Sequence, residues 1–420
     1  MEAARTVPSM VTHNSRSSEY DLYLQDESKF LTFSSQEKSY CNGSLVPLNN
    51  GGIFIRNLIL DPTMSYKSRV HGGESLFDFF ELNEIEEYFQ FRKGYFQLLC
   101  RERPTLHSKS KSLISKGMEA IRYLDKRDST KLVKVENSPT LMIERIEYSN
   151  LYHAMTEWYN VFIVLEELNL KDHAVNILFV DKHPRSILDD VWKRLFRRIE
   201  FADKLSSNQR FVHAFWMPSA YKSAMNNHKL VNLPYVEHFR SFFLYNFGFN
   251  DEISTDLEMI NITFIWRRDF VFHARNQNGT IQRKFANEET LLLATKRAFP
   301  SFNVIGIQLE KLSFTDQLRL ITGTSILIAM HGAGLAHVLF LPRGSGVFEI
   351  FPKYVNSAGN GHFRAMARWR KLHYVSWRNY QSRNEEENFK TRIPQEIVLN
   401  YIKILYWKMF KKEIPYAKLV

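Results

Sequence analysis

The sequence predicts an α/β protein of two facing Rossmann-like domains, and three observations carry that expectation. At 420 residues the chain is long enough for two domains, each with its own core. From Leu141 onward, and again after residue 259, short apolar runs alternate with amphipathic segments at helical spacing, which is the beat of a layered α/β domain with a parallel sheet. The run "ILIAMHGAGLAHVLFLPRG" (326–344) then breaks at His331-Gly332-Ala333-Gly334, and parallel sheets bind ligands beyond the C-terminal ends of their strands.

Taken in order, residues 1–40 are polar and without periodicity and read as a disordered lead-in. An N-terminal domain is assigned to 41–250. In it "GGIFIRNLILDP" (51–62) reads as a strand closed by Asp61-Pro62, and "GGESLFDFFELNEIEEYFQF" (72–91) as a turn opening a helix. The basic stretch 101–134 reads as a loop with a helix inside it. "IERIEYSNLYHAMTEWYNVFIVLEEL" (143–168) has helical spacing, "AVNILFVDKHP" (174–184) is a strand ending in turn chemistry, and "SILDDVWKRLFRRI" (186–199) is an amphipathic helix. A C-terminal domain over 251–385 alternates regularly: strands at 260–269, 302–310, 325–334 and 346–352, with helices at 287–299 and 314–323. The remainder, 386–420, holds a helix over 395–411 expected to pack back on the first domain.

Composition narrows the function classes. A net charge of +11 raises the question of a polyanionic partner, but paired Cys/His fingers and RNP aromatic motifs are missing, so no nucleic-acid module is recognisable. Much of the excess sits in 101–134, where a solvated basic face accounts for it as well as anion attraction does. The 33 Phe, 19 Tyr and 7 Trp fit packed cores and a sugar-binding cleft alike. Cys41 and Cys100 are too few for a disulfide framework or a zinc cluster and allow one optional bridge. No stretch reaches the roughly 18 apolar residues that span a bilayer, and the start has no apolar signal core. Asn-x-Ser/Thr sequons stand at Asn42, Asn261 and Asn278, a number near chance for this length.

Three constellations carry chemistry. The break at His331, Gly332, Ala333 and Gly334 offers bare backbone amides at a strand end, a nest suited to a diphosphate; a tight turn packed on a neighbour explains the glycines equally well. An α/β-hydrolase oxyanion loop would require Gly-x-Ser-x-Gly, which is absent. In "FIWRRD" (264–269), Arg267 and Arg268 end an apolar strand of the same predicted sheet and could clamp phosphate oxygens. In "NLYHAMTEWYN" (150–160), His153 and Glu157 are four apart on one helix face. A base held by a carboxylate suits deprotonation of an alcohol, and a satisfied core histidine beside a surface glutamate is the other reading.

These stretches together resemble the glycosyltransferase family of plant-type N-glycan core β-1,2-xylosyltransferases, EGF-domain O-GlcNAc transferases and O-mannose β-1,4-N-acetylglucosaminyltransferases. The similar segments include "GGESL", "NLYHAMTEWYN", "LFVDKHPRSILDDVWKRLF", "FIWRRDFVFHARNQNGTIQRKFANEET", "FTDQLRLI", "AMHGAGLAHVLFLPRGSGVFEIFP" and "HFRAMARWRKLHYVSWRN", in one order over roughly residues 50–380. The Arg-Arg-Asp run, the Gln-Arg after it and Asn287-Glu288-Glu289 look closest to the β-1,2-xylosyltransferases, whereas "FLPRG" and "YVSWRN" look more like the O-mannose branch.

The resemblance implies a GT-B type enzyme that moves a sugar from a UDP-sugar to a glycoprotein or N-glycan acceptor with inversion. It implies no metal, since the usual Asp-x-Asp triplet is absent. Arg267, Arg268 and the loop from His331 to Gly334 would hold the diphosphate, and Glu349 the ribose hydroxyls. Either Glu157 or His153 would be the base, with Asp181 and His183 as acceptor-side candidates or structural turn residues. Xylosyl transfer to the N-glycan core is the first expectation, O-linked N-acetylglucosaminyl transfer the second, and an inactive UDP- or glycan-binding protein the non-enzyme alternative. Golgi residence is implied, with the endoplasmic reticulum as alternative. Such proteins normally begin with an anchor or signal, so a truncated or mis-started chain is a further reading of the bare N-terminus.

Overall fold

In the computed structural model the described residues are 39–48, 52–67, 89–100, 117–125, 134–170, 174–218, 220–249 and 259–411. Nearly all of the expected lead-in, most of the helix expected over 72–91, most of the basic stretch and the join near 250 lie outside them. The architecture is mixed α/β with several sheets.

The first sheet has nine strands: β1 (Leu45–Pro47), β2 (Ile53–Leu60), β5 (Phe96–Leu99), β6 (Ile121–Leu124), β7 (Lys134–Glu136), β8 (Thr140–Ile143), β9 (Asn176–Phe179), β10 (Ile199–Phe201) and β11 (Gln209–Trp216). A separate ribbon pairs β3 (Ser65–Lys67) with β4 (Phe89–Phe91). Phe89-Gln90-Phe91 is therefore strand where a helix tail was expected, and Ile121–Leu124 is strand inside the expected loop. Strands β10, β9, β8 and β11 run parallel, but β11 pairs antiparallel with β2, and β2 with β5, so this sheet is mixed rather than wholly parallel. The helix expected from Ile143 begins only at Leu151, because Leu141–Ile143 is claimed by β8. Leu141, Ile143, Ile177 and Phe179 face one side of the sheet and Met142, Leu178 and Val180 the other. Both faces are buried, which is why these strands read as unbroken apolar runs.

The second sheet contains β12 (Asn261–Ile265), β14 (Asn303–Ile307), β15 (Ile326–Met330), β16 (Gly346–Phe351) and β17 (His373–Arg378), all parallel in the order β14-β12-β15-β16-β17. A short β13 (Lys284–Phe285) lies outside it. Within the sheet's own chain order this is 2-1-3-4-5, whose switch point falls between the first and third strands. Those are β12, which runs into Arg267, and β15, which runs into His331.

Seven α-helices complete the described residues: α1 (Leu151–Glu167), α2 (Asp189–Phe196), α3 (Val236–Asn246), α4 (Glu288–Ala298), α5 (Phe314–Thr322), α6 (His362–Trp369) and α7 (Gln395–Phe410). The Asn150 side chain caps α1 by accepting the Tyr152 N–H at 2.9 Å. This helix is apolar around most of its circumference because it lies between the two sheets. One cluster runs from Leu141 and Phe179 through Met155 and Phe162 of α1 and Phe243 of α3 to Leu327 and Ala329 of the second sheet. A shared core thus takes the place of two separate ones along this seam. The C-terminal helix does not pack back on the first unit: Val398, Ile402 and Leu405 join the outer face of the second sheet with Phe264 and Phe348. Gly346 permits this, since a Cβ there would stand 3.2 Å from the Leu405 methyl carbons.

A buried ion network ties the first unit's helix layer to its sheet. Arg145 donates to both oxygens of Asp181, at 2.8 and 3.1 Å, and to Asp189 at 3.3 Å, while its guanidinium lies over Phe179. Burial alone would raise the Asp181 pKa, but Arg145 and the hydrogen bonds hold it below the ordinary carboxyl value. Its contribution to stability is therefore present above the unfolded carboxyl pKa of about 3.9 and fades as pH falls through the folded value. Arg145→Met should cost about 3–5 kcal/mol in denaturant unfolding, because Asp181 is left buried without its counterion.

Candidate active site

Two cavities meet at the switch point. One, of about 290 Å³, is lined by Glu147, Arg267, Phe272, Glu310, Gln317 and Gly334 among others. The second, of about 380 Å³, is lined by Tyr152, His153, Tyr221, His228, His331 and His362. They share Asn150, Arg283 and Ala333 and so adjoin one another.

Arg267 and the glycine break form one unit. A Cβ on Gly332 would stand 2.2 Å from Arg267 Nη1, so only glycine lets the guanidinium lie against the loop. Arg267 Nε donates to the Gln282 carbonyl at 3.1 Å, which aims the fork. Ala333 and Gly334 open the helical segment Ala333–Phe340, and amides of a first turn have no acceptor within their own helix.

Arg283, which sequence reasoning did not assign, stands beside them. Its backbone is left-handed at φ 63° and its N–H donates to the Tyr354 hydroxyl at 3.0 Å. Its buried Nε has no hydrogen-bond partner. Burial and the Arg283 charge pull the Arg267 pKa down to about 9, so it stays protonated near neutrality, and burial lowers Arg283 too. Among the described residues neither guanidinium has an ion-pair partner, and an anion held between them would relieve both. Nothing in "TIQRKF" advertises this: the strained conformation that turns Arg283 inward is set by the loop from Asp269 to Lys284, which closes on itself through an ion pair at 2.8 Å.

Arg268 is not part of the site. Successive residues leaving a strand point to opposite sides, so Arg268 bonds Glu288 and lines a larger, open cavity of about 830 Å³ on the far side of Arg267. Glu349 is also displaced from its expected role. It is 0% exposed, and its two oxygens accept from His331 Nδ1 and the Tyr374 hydroxyl, each at 2.5 Å. Both oxygens are thus engaged inside the fold, against His331 and Tyr374.

The expected pair of His153 and Glu157 is separated. Glu157 turns into the core and accepts the Ile146 N–H at 3.1 Å, and burial raises its pKa to about 8. His153 instead faces the second cavity with Nε2 3.5 Å from Glu147. Burial lowers its pKa to about 4, which leaves it neutral and able to accept a proton. The carboxylate behind the histidine is thus Glu147, on the loop before α1, and four-residue helical spacing could not point to it. Asp181 and His183 are buried beneath the cleft: Asp181 is held by Arg145, and His183 Nε2 contacts the Arg145 carbonyl at 2.9 Å while its ring stacks on Tyr148. They form a structural turn, the alternative the sequence had left open.

On the opposite wall, Tyr152 of α1 and His362 of α6 join with His228. The Tyr152 oxygen is 3.1 Å from His228 Nε2 and 3.0 Å from His362 Nδ1, and the two imidazole nitrogens are 2.9 Å apart. This triangle joins α1 to α6 through His228 at the wall of the second cavity.

A site that brings an amide loop, two guanidiniums and a neutral histidine to adjoining cavities can hold an anionic leaving group while a hydroxyl is deprotonated. Comparison with known proteins agrees with that chemistry. The family model described as Glycosyltransferase 61 matches residues 151–348. The chain is 26% identical over 402 residues to a β-1,2-xylosyltransferase of Arabidopsis thaliana, covering 79% of this chain and 74% of the relative. It is 27% identical over 347 residues to an EGF domain-specific O-linked N-acetylglucosamine transferase of Drosophila melanogaster, covering 73% and 61%. Over 113 residues it is 40% identical to the human protein O-linked-mannose β-1,4-N-acetylglucosaminyltransferase 2, covering 26% and 19%. The protein is a glycosyltransferase. The segment that matches the glycosyltransferase 61 model, residues 151–348, contains His153, Arg267, Arg283 and the loop from His331 to Gly334.

Proposed function

We propose that the protein is an inverting, metal-independent transferase of the GT-B arrangement, its two Rossmann-like units facing each other, that moves xylose from UDP-xylose to the core mannose of an N-glycan. The observation that carries this is the meeting of the two cavities at Arg283 and Ala333, with Arg267 lining one and Gly332 and His153 the other. The uridine would occupy the smaller cavity, the diphosphate the junction, and the sugar with its acceptor the histidine-lined cavity. An α-linked donor and a β-linked product require one in-line displacement, for which one base suffices. The long match to the Arabidopsis xylosyltransferase favours xylose; the shorter but closer match to the human O-mannose enzyme favours the second reading, transfer of N-acetylglucosamine to a protein O-glycan or EGF-domain Ser/Thr. Turnover of UDP-xylose, UDP-GlcNAc and UDP-glucose against N-glycan, O-mannose and EGF-domain acceptors decides between them. Tight UDP binding without transfer to any acceptor would leave a binding protein.

Metal independence is supported by what stands around the phosphate position, two guanidiniums and an amide loop that supply the charge stabilisation a divalent cation would otherwise give. Transfer should persist in EDTA, and abolition by EDTA with rescue by Mn²⁺ would overturn this part of the proposal.

Work in the lumen of the secretory pathway, in the Golgi or alternatively the endoplasmic reticulum, is supported by the disulfide between Cys41 and Cys100, since such bonds persist in oxidising compartments. Asn42 and Asn278 lie exposed on turns, whereas Asn261 opens β12 with its amide donating to the Gly323 carbonyl at 2.9 Å. Passed through that pathway, the chain should lose one glycan's mass in Asn278→Gln and one in Asn42→Gln, and none in Asn261→Gln.

A further inference from the structure

We propose that His331, held by Glu349, donates a proton to the departing diphosphate. The assignment rests on the glycosyl transfer proposed above and adds the second half of its proton chemistry. Glu349 has no exposed surface, and among the described residues its partners are the imidazole and a tyrosine hydroxyl. Burial and the adjacent carboxylate push the Tyr374 pKa up, so the phenol remains a neutral donor. A buried carboxylate demands a compensating positive charge close by, and His331 is the bonded partner able to carry one. Proton donation needs the imidazolium, and Glu349 is the counterion placed to meet it, 2.5 Å from Nδ1.

The ring is fixed in place as well as charged. His331 donates its backbone N–H to the Ile350 carbonyl at 2.8 Å, and its imidazole stacks on Phe351 with centroids 5.0 Å apart. With Nδ1 committed to Glu349, Nε2 is the nitrogen left for a ligand in the cavity that His331 lines. The next residue is Gly332, against which Arg267 lies, so the imidazole and the guanidinium serve the same phosphate position.

Donation requires His331 to be doubly protonated while the base in the same cavity is neutral. Glu349 from β16 is the counterion, with neutral Tyr374 from β17 completing the carboxylate's shell. Arg267 at the end of β12 and Arg283 bring positive charge to the same position, which an entering diphosphate cancels. His362 of α6, stacked 6.1 Å away, is kept neutral by burial and by His228, with a pKa of about 3. His153 of α1 is neutral as well. Such divergent environments are how one site holds an acid and a base together.

In the step itself the acceptor oxygen bonds to the anomeric carbon as the bond from that carbon to the β-phosphate oxygen breaks. The hydroxyl proton passes to His153 Nδ1, since Nε2 faces Glu147. The electron pair of the breaking bond stays on the diphosphate, whose oxygen takes the proton from His331 Nε2. His153 ends protonated and His331 neutral, and exchange with water restores both.

The test is the pH profile of kcat/KM with whichever UDP-sugar the wild type turns over. Wild type should give a bell, the acid limb from His153 and the alkaline limb from His331. His331→Gln should lose the alkaline limb and about 10²–10⁴-fold in kcat, with UDP affinity within about tenfold of wild type, and should keep the acid limb. Glu349→Gln should move the alkaline limb to lower pH without touching the acid limb, a result that mere packing would not produce. Nitrogen NMR of the wild-type UDP complex should show His331 doubly protonated and His153 neutral near pH 7, and this reading needs no variant to fold. An unchanged bell in His331→Gln, or a neutral His331 in the UDP complex, overturns the proton-donor role alone. A wild type inactive with every UDP-sugar overturns the proposed function instead.

Discussion

Alanine at His153 is expected to lower kcat by about 10²–10⁴-fold, the usual contribution of a general base, while UDP affinity stays near wild type because the nucleotide cavity lies across the cleft. Burial holds His153 near pKa 4, so in the free enzyme the acid limb of kcat/KM should fall well below the ordinary histidine value of about 6.5. Glu147→Gln should give a smaller loss, since Glu147 steadies the imidazolium that forms and does not itself take the proton. Glu157→Gln is the discriminating control. Glu157 is protonated near neutrality and only accepts a backbone N–H, so the amide replaces it at little cost to kcat. Near wild-type turnover in His153→Ala, or a collapse of kcat in folded Glu157→Gln, would return the base to Glu157.

Arg267→Ala should reduce kcat/KM by about 2–4 kcal/mol, by analogy with the loss of an oxyanion donor, and should weaken UDP binding as well. Lysine should rescue poorly, because a fork that lies along a loop is not replaced by a point charge. Gly332→Ala tests the same contact from the other side. Its backbone, at φ 163° and ψ 169°, is extended and open to any residue, so the effect comes from the methyl group 2.2 Å from Nη1. The guanidinium must swing away. The variant should keep its thermal midpoint and lose donor affinity, and wild-type UDP binding in both variants would remove Arg267 from the donor site.

Strands β12, β14, β15 and β16 and helices α4, α5 and α7 were readable because the apolar runs there are short and bounded by turn chemistry, whereas α6 and β17 were not expected. The mixed sheet was harder. Strand β11 alternates apolar and polar residues too loosely to stand out, and β6 lies in a basic stretch that composition marks as surface. The meeting of Arg267 with the loop from His331 to Gly334 was legible because strand ends and glycines fix backbone position. Arg268 lies with Glu288 instead, because neighbours at a strand end face opposite ways and the sequence does not say which faces the loop.

By itself, then, the sequence determined the glycosyltransferase class, the parallel sheet from β12 to β16 and the part of the candidate site built from contiguous backbone. Tertiary structure alone decided the partners. Glu147 rather than Glu157 stands behind His153, Arg283 joins Arg267, Glu349 bonds His331, and Asp181 is spent on Arg145. Helical periodicity states which residues share a face. Which face meets the cleft and which the core depends on how α1 is wedged between two sheets, and that is set by apolar contacts from residues such as Leu141 and Leu327, far from any motif.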